Sequence, residues 1–288
     1  MSDLVSYLFK TSAVEVCPEN KPFFLTSGLI SPYFVNTQYV YGGKQASSDL
    51  LSIIDGLLSD RMVLPKKVFD RVLEQYKSNE IFKNVIDIMI DSINNSVNID
   101  EIDYISGGER RDWFFSNIIA YLLKKPHVTI FKDHETLVSN YDFSTTSQLS
   151  DLSNKKVLHI TDLVTSASSF TRFWIPAVRD LGGDIVATCY IVDRKQGGTE
   201  LLANENIKAI SLISVDVNLF ERALELGIIN EASLDMVKKF IDDPYKTMRD
   251  FLIAHPEFIE ESLKATDPKT PGRIRNLLDN DLYDLVNK

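Results

Sequence analysis

With 288 residues, a net charge of −10 and 44% hydrophobic residues, the chain is long enough for roughly two domains and apolar enough to bury a sizeable core. The acidic balance argues against a nucleic-acid partner, which demands local cations, and no apolar run approaches the ~20 residues of a membrane span. Two cysteines, Cys17 and Cys189, with no C-x-x-C pair and no secretory leader, point to a reduced cytoplasmic protein.

A short helix is expected at 2–11, ahead of the segment FLTSGLISPYF at 24–34. Residues 46–61 and 64–95 carry apolar side chains at helical spacing, among them Val68, Val72, Tyr76, Ile81, Val85, Ile88 and Met89, and read as a helical insertion of about 46–97. Strands and helices then alternate: strand 102–106, helix 112–123, strands 128–132 and 157–161, helix 169–181, strand 185–192, helix 201–206 and strand 209–215. This alternation predicts an α/β fold, a parallel sheet with helices on both faces. Beyond 219 only helices are expected, at 233–241, 244–254, 256–264 and 272–286, punctuated by Asp243-Pro244, His255-Pro256 and Asp267-Pro268. The expected division is therefore an α/β domain over 1–216 and an all-helical C-terminal extension over 217–288.

The stretch VLHITDLVTSASS at 157–169 carries the most chemistry. Its apolar part reads as a strand buried on both faces, and Thr165, Ser166, Ala167, Ser168 and Ser169 are too small and polar to continue it. A hydroxyl-rich turn leading into a helix offers unpaired N–H groups and the positive end of a dipole, which suits a phosphate. Asp162, just before the turn, does not favour the same anion, so its partner is a neutral hydroxyl or a metal ion on the same ligand. A sugar phosphate meets both demands. Upstream, Ser106-Gly107-Gly108-Glu109-Arg110-Arg111-Asp112 joins two glycines, which let a backbone approach an anion, to two arginines able to clamp phosphate oxygens. The polar stretch 134–154 reads as a lid.

On these residues the chain resembles the type I phosphoribosyltransferases, whose signature is an apolar strand, one or two acids, two apolar residues and a Thr/Ser/Gly loop. Segment 24–34, with Ser27, Gly28, Ser31, Pro32, Tyr33 and Phe34, and YIVDRKQGG at 190–198 narrow the resemblance to the orotate branch. The resemblance spans roughly 5–215. It implies that residues 165–169 hold the 5-phosphate of phosphoribosyl pyrophosphate (PRPP), that Asp162 accepts from the ribose hydroxyls, and that Gly107, Gly108, Arg110 and Arg111 hold pyrophosphate. Lys132 and His134 take the catalytic-loop positions, and Ser27, Tyr33, Phe34 and Arg194 the base-binding ones.

The implied activity is that of a pentosyltransferase: Mg2+-dependent transfer of phosphoribosyl from PRPP to a base, most simply orotate to orotidine 5′-phosphate, by a homodimer. Mg2+ would be carried by PRPP rather than by side chains, with Asp162 as a candidate contact. The motifs also depart from the family. Thr161 stands where the first acid usually is, Ala167 where glycine is common, Thr26 and Leu29 where basic residues are usual, and the lid lacks a further lysine. An alternative is therefore a catalytically impaired protein that binds PRPP or a nucleotide in a regulatory role, and a third is a transferase with another acceptor. For Arg194 the competing reading is a salt bridge with Asp193 or Glu200, and His159, inside a strand, reads as a packed core residue. The four histidines, His127, His134, His159 and His255, show no metal-ligand spacing.

Overall fold

The computed structural model describes residues 2–25, 27–267 and 269–285; Thr26 and Val286 lie outside the described residues. The chain divides into two compact units, one combining Met1–Asn36 with Asp216–Lys288 and the other Thr37–Val215. One edge of this division falls at the sequence boundary expected near 216. The other falls at Asn36, because segment 24–34 finds its packing partners among the C-terminal helices.

In the first unit, helix Ser2–Lys10 packs on helix Val217–Glu225. Two antiparallel ribbons pair β1 (Val14–Val16) with β4 (Tyr33–Val35) and β2 (Phe23–Phe24) with β3 (Ile30–Ser31). Helices Glu231–Asp242, Pro244–Ala254, Pro256–Leu263 and Thr270–Asp279 follow. Their starts are set by local chemistry: Asn230 Oδ1 accepts from Ser233 N–H at 2.8 Å, Asp243 Oδ1 from Lys246 N–H at 2.9 Å, and Pro244 and Pro256 stand in first turns. Ile30, Met248, Leu252, Phe258, Ile274 and Leu277 form a buried core. The Tyr283 hydroxyl accepts Ile30 N–H at 3.0 Å, and the Arg273 guanidinium donates to the Phe24 carbonyl at 3.0 Å. Gly28, at φ +90°, lies where a Cβ would come within 2.5 Å of Asn276 Nδ2, so both its backbone conformation and its lack of a side chain are used.

The second unit opens with helices Gly43–Leu57, Leu64–Ser78 and Glu80–Ser96, the expected insertion, the last capped by Asn79 Oδ1 on Phe82 N–H at 2.9 Å. A seven-stranded sheet follows, built from β5 (Tyr104–Gly108), β6 (His127–Ile130), β7 (Thr136–Ser139), β8 (Thr146–Gln148), β9 (Lys156–Val164), β10 (Asp184–Asp193) and β11 (Lys208–Ser214). The strand order is β11-β10-β9-β5-β6-β7-β8. The first five in that order run parallel, as the alternating pattern demands, while β7 and β8 add antiparallel to the β6 edge. Helix Trp113–Leu123, buried along most of its length, packs on β5, β6 and β9, and Glu80–Ser96 packs on β10 and β11.

Two differences from the expected elements have clear causes. The stretch 134–154 is a packed hairpin rather than a free polar lid: Leu137, Phe143 and Leu152 are buried, and Phe143 stacks on Phe69 at 4.5 Å between centroids. The helix expected at 169–181 is a π-turn, Phe170–Trp174, followed by a short α-helix, Ile175–Arg179. Pro176 brings no N–H to the carbonyl four residues back, and that carbonyl, of Arg172, is taken instead by His134 Nε2 at 2.9 Å.

Candidate functional site

At the carboxyl end of β9 the chain leaves the sheet and turns through residues 165–169. Ala167 holds φ +54°, the left-handed region where a side chain is disfavoured, and its carbonyl accepts Phe170 N–H at 3.0 Å. Gly198 backs the turn, since a Cβ there would collide with the Thr165 carbonyl and crowd the Ala167 nitrogen. Thr165, Ala167, Ser168 and Ser169 line a cavity of about 310 Å³ together with Glu109, Arg110, Arg111, Asp112, Lys132, Thr161 and Asp162. Ser166 is exposed and outside this lining.

The cations of the cavity differ in their freedom. Arg110 is ion-paired with Asp55 of helix Gly43–Leu57. Arg111 and Lys132 are exposed and form no ion pair among the described residues. Lys132 is held at its backbone, where its N–H donates to Glu109 Oε2 at 3.3 Å. Its loop is fastened by Arg61, which pairs with Asp133 at 2.7 Å and with Glu135 and lies over the Phe131 ring at 4.3 Å.

Asp162 is buried. Its Oδ1 accepts Leu163 N–H at 2.8 Å, whereas Oδ2 has no hydrogen-bond partner. Burial, reinforced by the neighbouring Asp112 carboxylate and partly offset by Arg111, pushes its carboxyl up to about 7. Asp112 is buried too, but satisfied: Oδ1 accepts the Thr161 hydroxyl at 2.8 Å and Oδ2 accepts Gly108 N–H at 3.1 Å. Thr161, standing where the signature has an acid, thus serves as a donor to an acid from another loop.

Other expected site residues have different surroundings. Gly107 and Gly108 lie inside β5, where a Cβ would collide with the Ser116 and Trp174 side chains respectively. Their lack of a side chain serves packing, and neither lines the cavity. His134 also lies outside the lining; its ring satisfies Arg172 and meets Phe173 edge-on at 6.3 Å. Arg194 donates its backbone N–H to the Val164 carbonyl at 2.9 Å and forms no ion pair among the described residues. The Asp193 carboxylate is engaged by the Thr199 hydroxyl at 2.9 Å and by Lys195 N–H at 2.7 Å. Ser27, Tyr33 and Phe34 belong to the other unit, where Tyr33 packs on Phe220 and Phe240 at 5.0 and 5.6 Å, and Phe34 on Phe23 at 6.1 Å.

The histidines inside the sheet serve packing. His159 Nδ1 meets Ser106 Oγ at 2.9 Å, and its ring lies against Phe170 and Trp174. His127 is fully buried between Thr129 Oγ1 at 3.1 Å and Ser116 Oγ at 2.9 Å, and burial pushes its pKa down to about 3. Sequence reasoning did not single out Asp112 or Arg61. A lone acid after two arginines and a lone arginine between helices carry no pattern of their own.

Among the described residues no group of three His, Cys, Asp or Glu side chains could hold a metal ion, and no helix is long and apolar enough to cross a membrane. No family model matches the chain. In sequence it is similar to the orotate phosphoribosyltransferase of Sulfurisphaera tokodaii, 26% identical over 193 residues that cover 67% of this chain and 92% of that protein. It is also similar to the orotate phosphoribosyltransferase of Methanosphaera stadtmanae, 28% identical over 133 residues that cover 46% and 71%. In structure it resembles the Francisella tularensis orotate phosphoribosyltransferase, with a TM-score of 0.50, 17% identity and coverage of 82% of this chain and 96% of that one. It also resembles the Leishmania donovani UMP synthase, with a TM-score of 0.52 and 15% identity, over 84% of this chain but only 42% of that longer one. The chain has the phosphoribosyltransferase fold and is related to that family, its curated sequence relatives coming from the orotate branch.

Proposed function

We propose that the protein transfers a phosphoribosyl group from PRPP to a base, most simply orotate, with release of pyrophosphate. The observation that carries this reading is the cavity itself, in which a hydroxyl-rich turn, a buried acid and the cations Arg110, Arg111 and Lys132 share one lining. Its volume of about 310 Å³ suits a small ligand. Thr165, Ala167, Ser168 and Ser169 hold the 5-phosphate, Asp162 accepts from the ribose hydroxyls, and Arg111 and Lys132 face the pyrophosphate, joined by Arg110 once it leaves Asp55. No side-chain nucleophile is needed. Positive charge grows on the sugar and negative charge on the leaving group, so the protein's work is to orient the ligand, exclude water and stabilise the departing pyrophosphate.

Mg2+ fits this donor set, since Asp162, which lines the cavity, carries in Oδ2 a hard oxygen with no hydrogen-bond partner; bound to PRPP, the ion would neutralise pyrophosphate charge. Arg194 is the proposed base contact, and a homodimer in the cytoplasm is the proposed state. One observation favours the regulatory reading: the segment after Lys132 is packed into a hairpin, which leaves less chain free to close over a reacting ligand.

Titration calorimetry of PRPP with Mg2+, repeated with orotate present and pyrophosphate assayed, tests the proposal. PRPP binding followed by pyrophosphate release supports the transferase. Binding without release under any base tried supports the regulatory reading, and no binding overturns both.

A further inference from the structure

Asp112 is 7% exposed and stands at the start of helix Trp113–Leu123. It follows Arg110 and Arg111 directly in the chain, and through the 2.8 Å hydrogen bond from Thr161 it is joined to the residue before Asp162 on β9. Its second oxygen accepts Gly108 N–H at 3.1 Å and lies 3.4 Å from His159 Nε2. One carboxylate therefore ties the arginine-bearing loop to the strand that carries Asp162. Asp162 Oδ2 remains buried and unpartnered, on a residue that lines the cavity. Two buried carboxylates side by side, one with an unpaired oxygen, cost the folded protein free energy, and such an arrangement is kept where a ligand completes it.

We propose that Asp112 is a positioning residue for the cavity: through Thr161 it fixes the loop of Arg110 and Arg111 against Asp162, so that a phosphorylated sugar is held by its anionic end and its hydroxyls at once. The proposal rests on the phosphoribosyl reading above. Charge alone gives the opposite expectation. A carboxylate beside an anion site repels the anion, so deleting its charge without other effect would tighten binding.

Binding to the full chain with Mg2+ present, measured by calorimetry for PRPP and for ribose 5-phosphate, tests the proposal through four variants. Asp112→Leu, close in size and unable to hydrogen-bond, and Thr161→Val each should weaken PRPP about ten- to hundredfold, the range for losing a hydrogen bond to a charged group. Ribose 5-phosphate, which does not span to the arginine loop, should lose less. Thr161→Ser, which keeps the hydroxyl, should bind as the parent does. The double variant Asp112→Leu with Thr161→Val should be no weaker than the weaker single, because one hydrogen bond serves both residues.

Tighter PRPP binding by Asp112→Leu, additive losses in the double variant, or equal losses for the two ligands would each overturn the positioning role. Failure of the unmutated chain to bind either ligand would overturn the phosphoribosyl reading itself, and the proposal with it, before any variant is compared.

Discussion

Two buried ionisable residues bend the stability of this chain with pH in opposite directions. Asp162 is raised from 3.8 to about 7 in the folded state. The folded protein therefore holds a proton that the unfolded chain has lost, and this contribution, full below about 4, disappears as pH rises to about 7. His127 is lowered from 6.5 to about 3. Here the unfolded chain binds the extra proton, so the contribution is full above about 6.5 and disappears as pH falls toward 3. Asp162→Asn should therefore leave stability at pH 4 nearly unchanged and raise it at pH 7, by an amount urea unfolding reads directly; parallel curves at the two pH values would refute the buried charge. Ala167→Gly should relieve the left-handed backbone and stabilise by about 0.5–1 kcal/mol, measured as a shift in the urea midpoint. The sequence already marked Asp162 and the turn at 165–169, because short-range chemistry places hydroxyls and an acid at a strand end. It did not mark the Asp112–Thr161 bond, which joins residues separated by 49 positions and follows only from the sheet order.

At the scale of elements, the parallel strands and the helical character of the insertion were legible from periodicity, whereas the break at Asn79 that splits the stretch 64–95 into two helices was not. The hairpin of β7 and β8 was not. Its strands are short and rich in Ser and Thr, and what holds it is the burial of Leu137, Phe143 and Leu152 by partners remote in sequence. Phe143→Ala should cost about 3–5 kcal/mol, and thermal unfolding would show it; a cost under 1 kcal/mol would mean the hairpin is held only by its edge pairing. The π-turn was hidden for a related reason. Pro176 was visible, but the partner that takes over the Arg172 carbonyl, His134, comes from the hairpin side. The Lys132 loop is fastened by Arg61, which pairs with Asp133 and Glu135 and lies over the Phe131 ring. Because these ion pairs are partly exposed, Arg61→Ala should cost only about 1 kcal/mol or less in global stability. Amide exchange at 132–135 should nevertheless quicken clearly, and unchanged exchange would show that the loop needs no anchor.

At the scale of the whole molecule, the grouping of segment 24–34 with the C-terminal helices could not be read from the chain, since the motif resembles part of the α/β domain while its contacts are with residues such as Arg273 and Tyr283. Tyr283→Phe removes the hydroxyl that accepts Ile30 N–H and should cost about 1–3 kcal/mol, as for a buried group left unpaired. Ile30 and Tyr283 are 253 positions apart, whereas the Thr37–Val215 unit is one uninterrupted run. The entropy of closing so long a loop grows only slowly with its length, so the separation matters less for final stability than for timing. During synthesis from the N-terminus, the sheet-bearing unit has all its residues once Val215 emerges, while Phe24, Ile30 and their neighbours wait with apolar surface uncovered until their partners between Met248 and Tyr283 follow. Over that interval the uncovered face is the part of the nascent chain most open to wrong association.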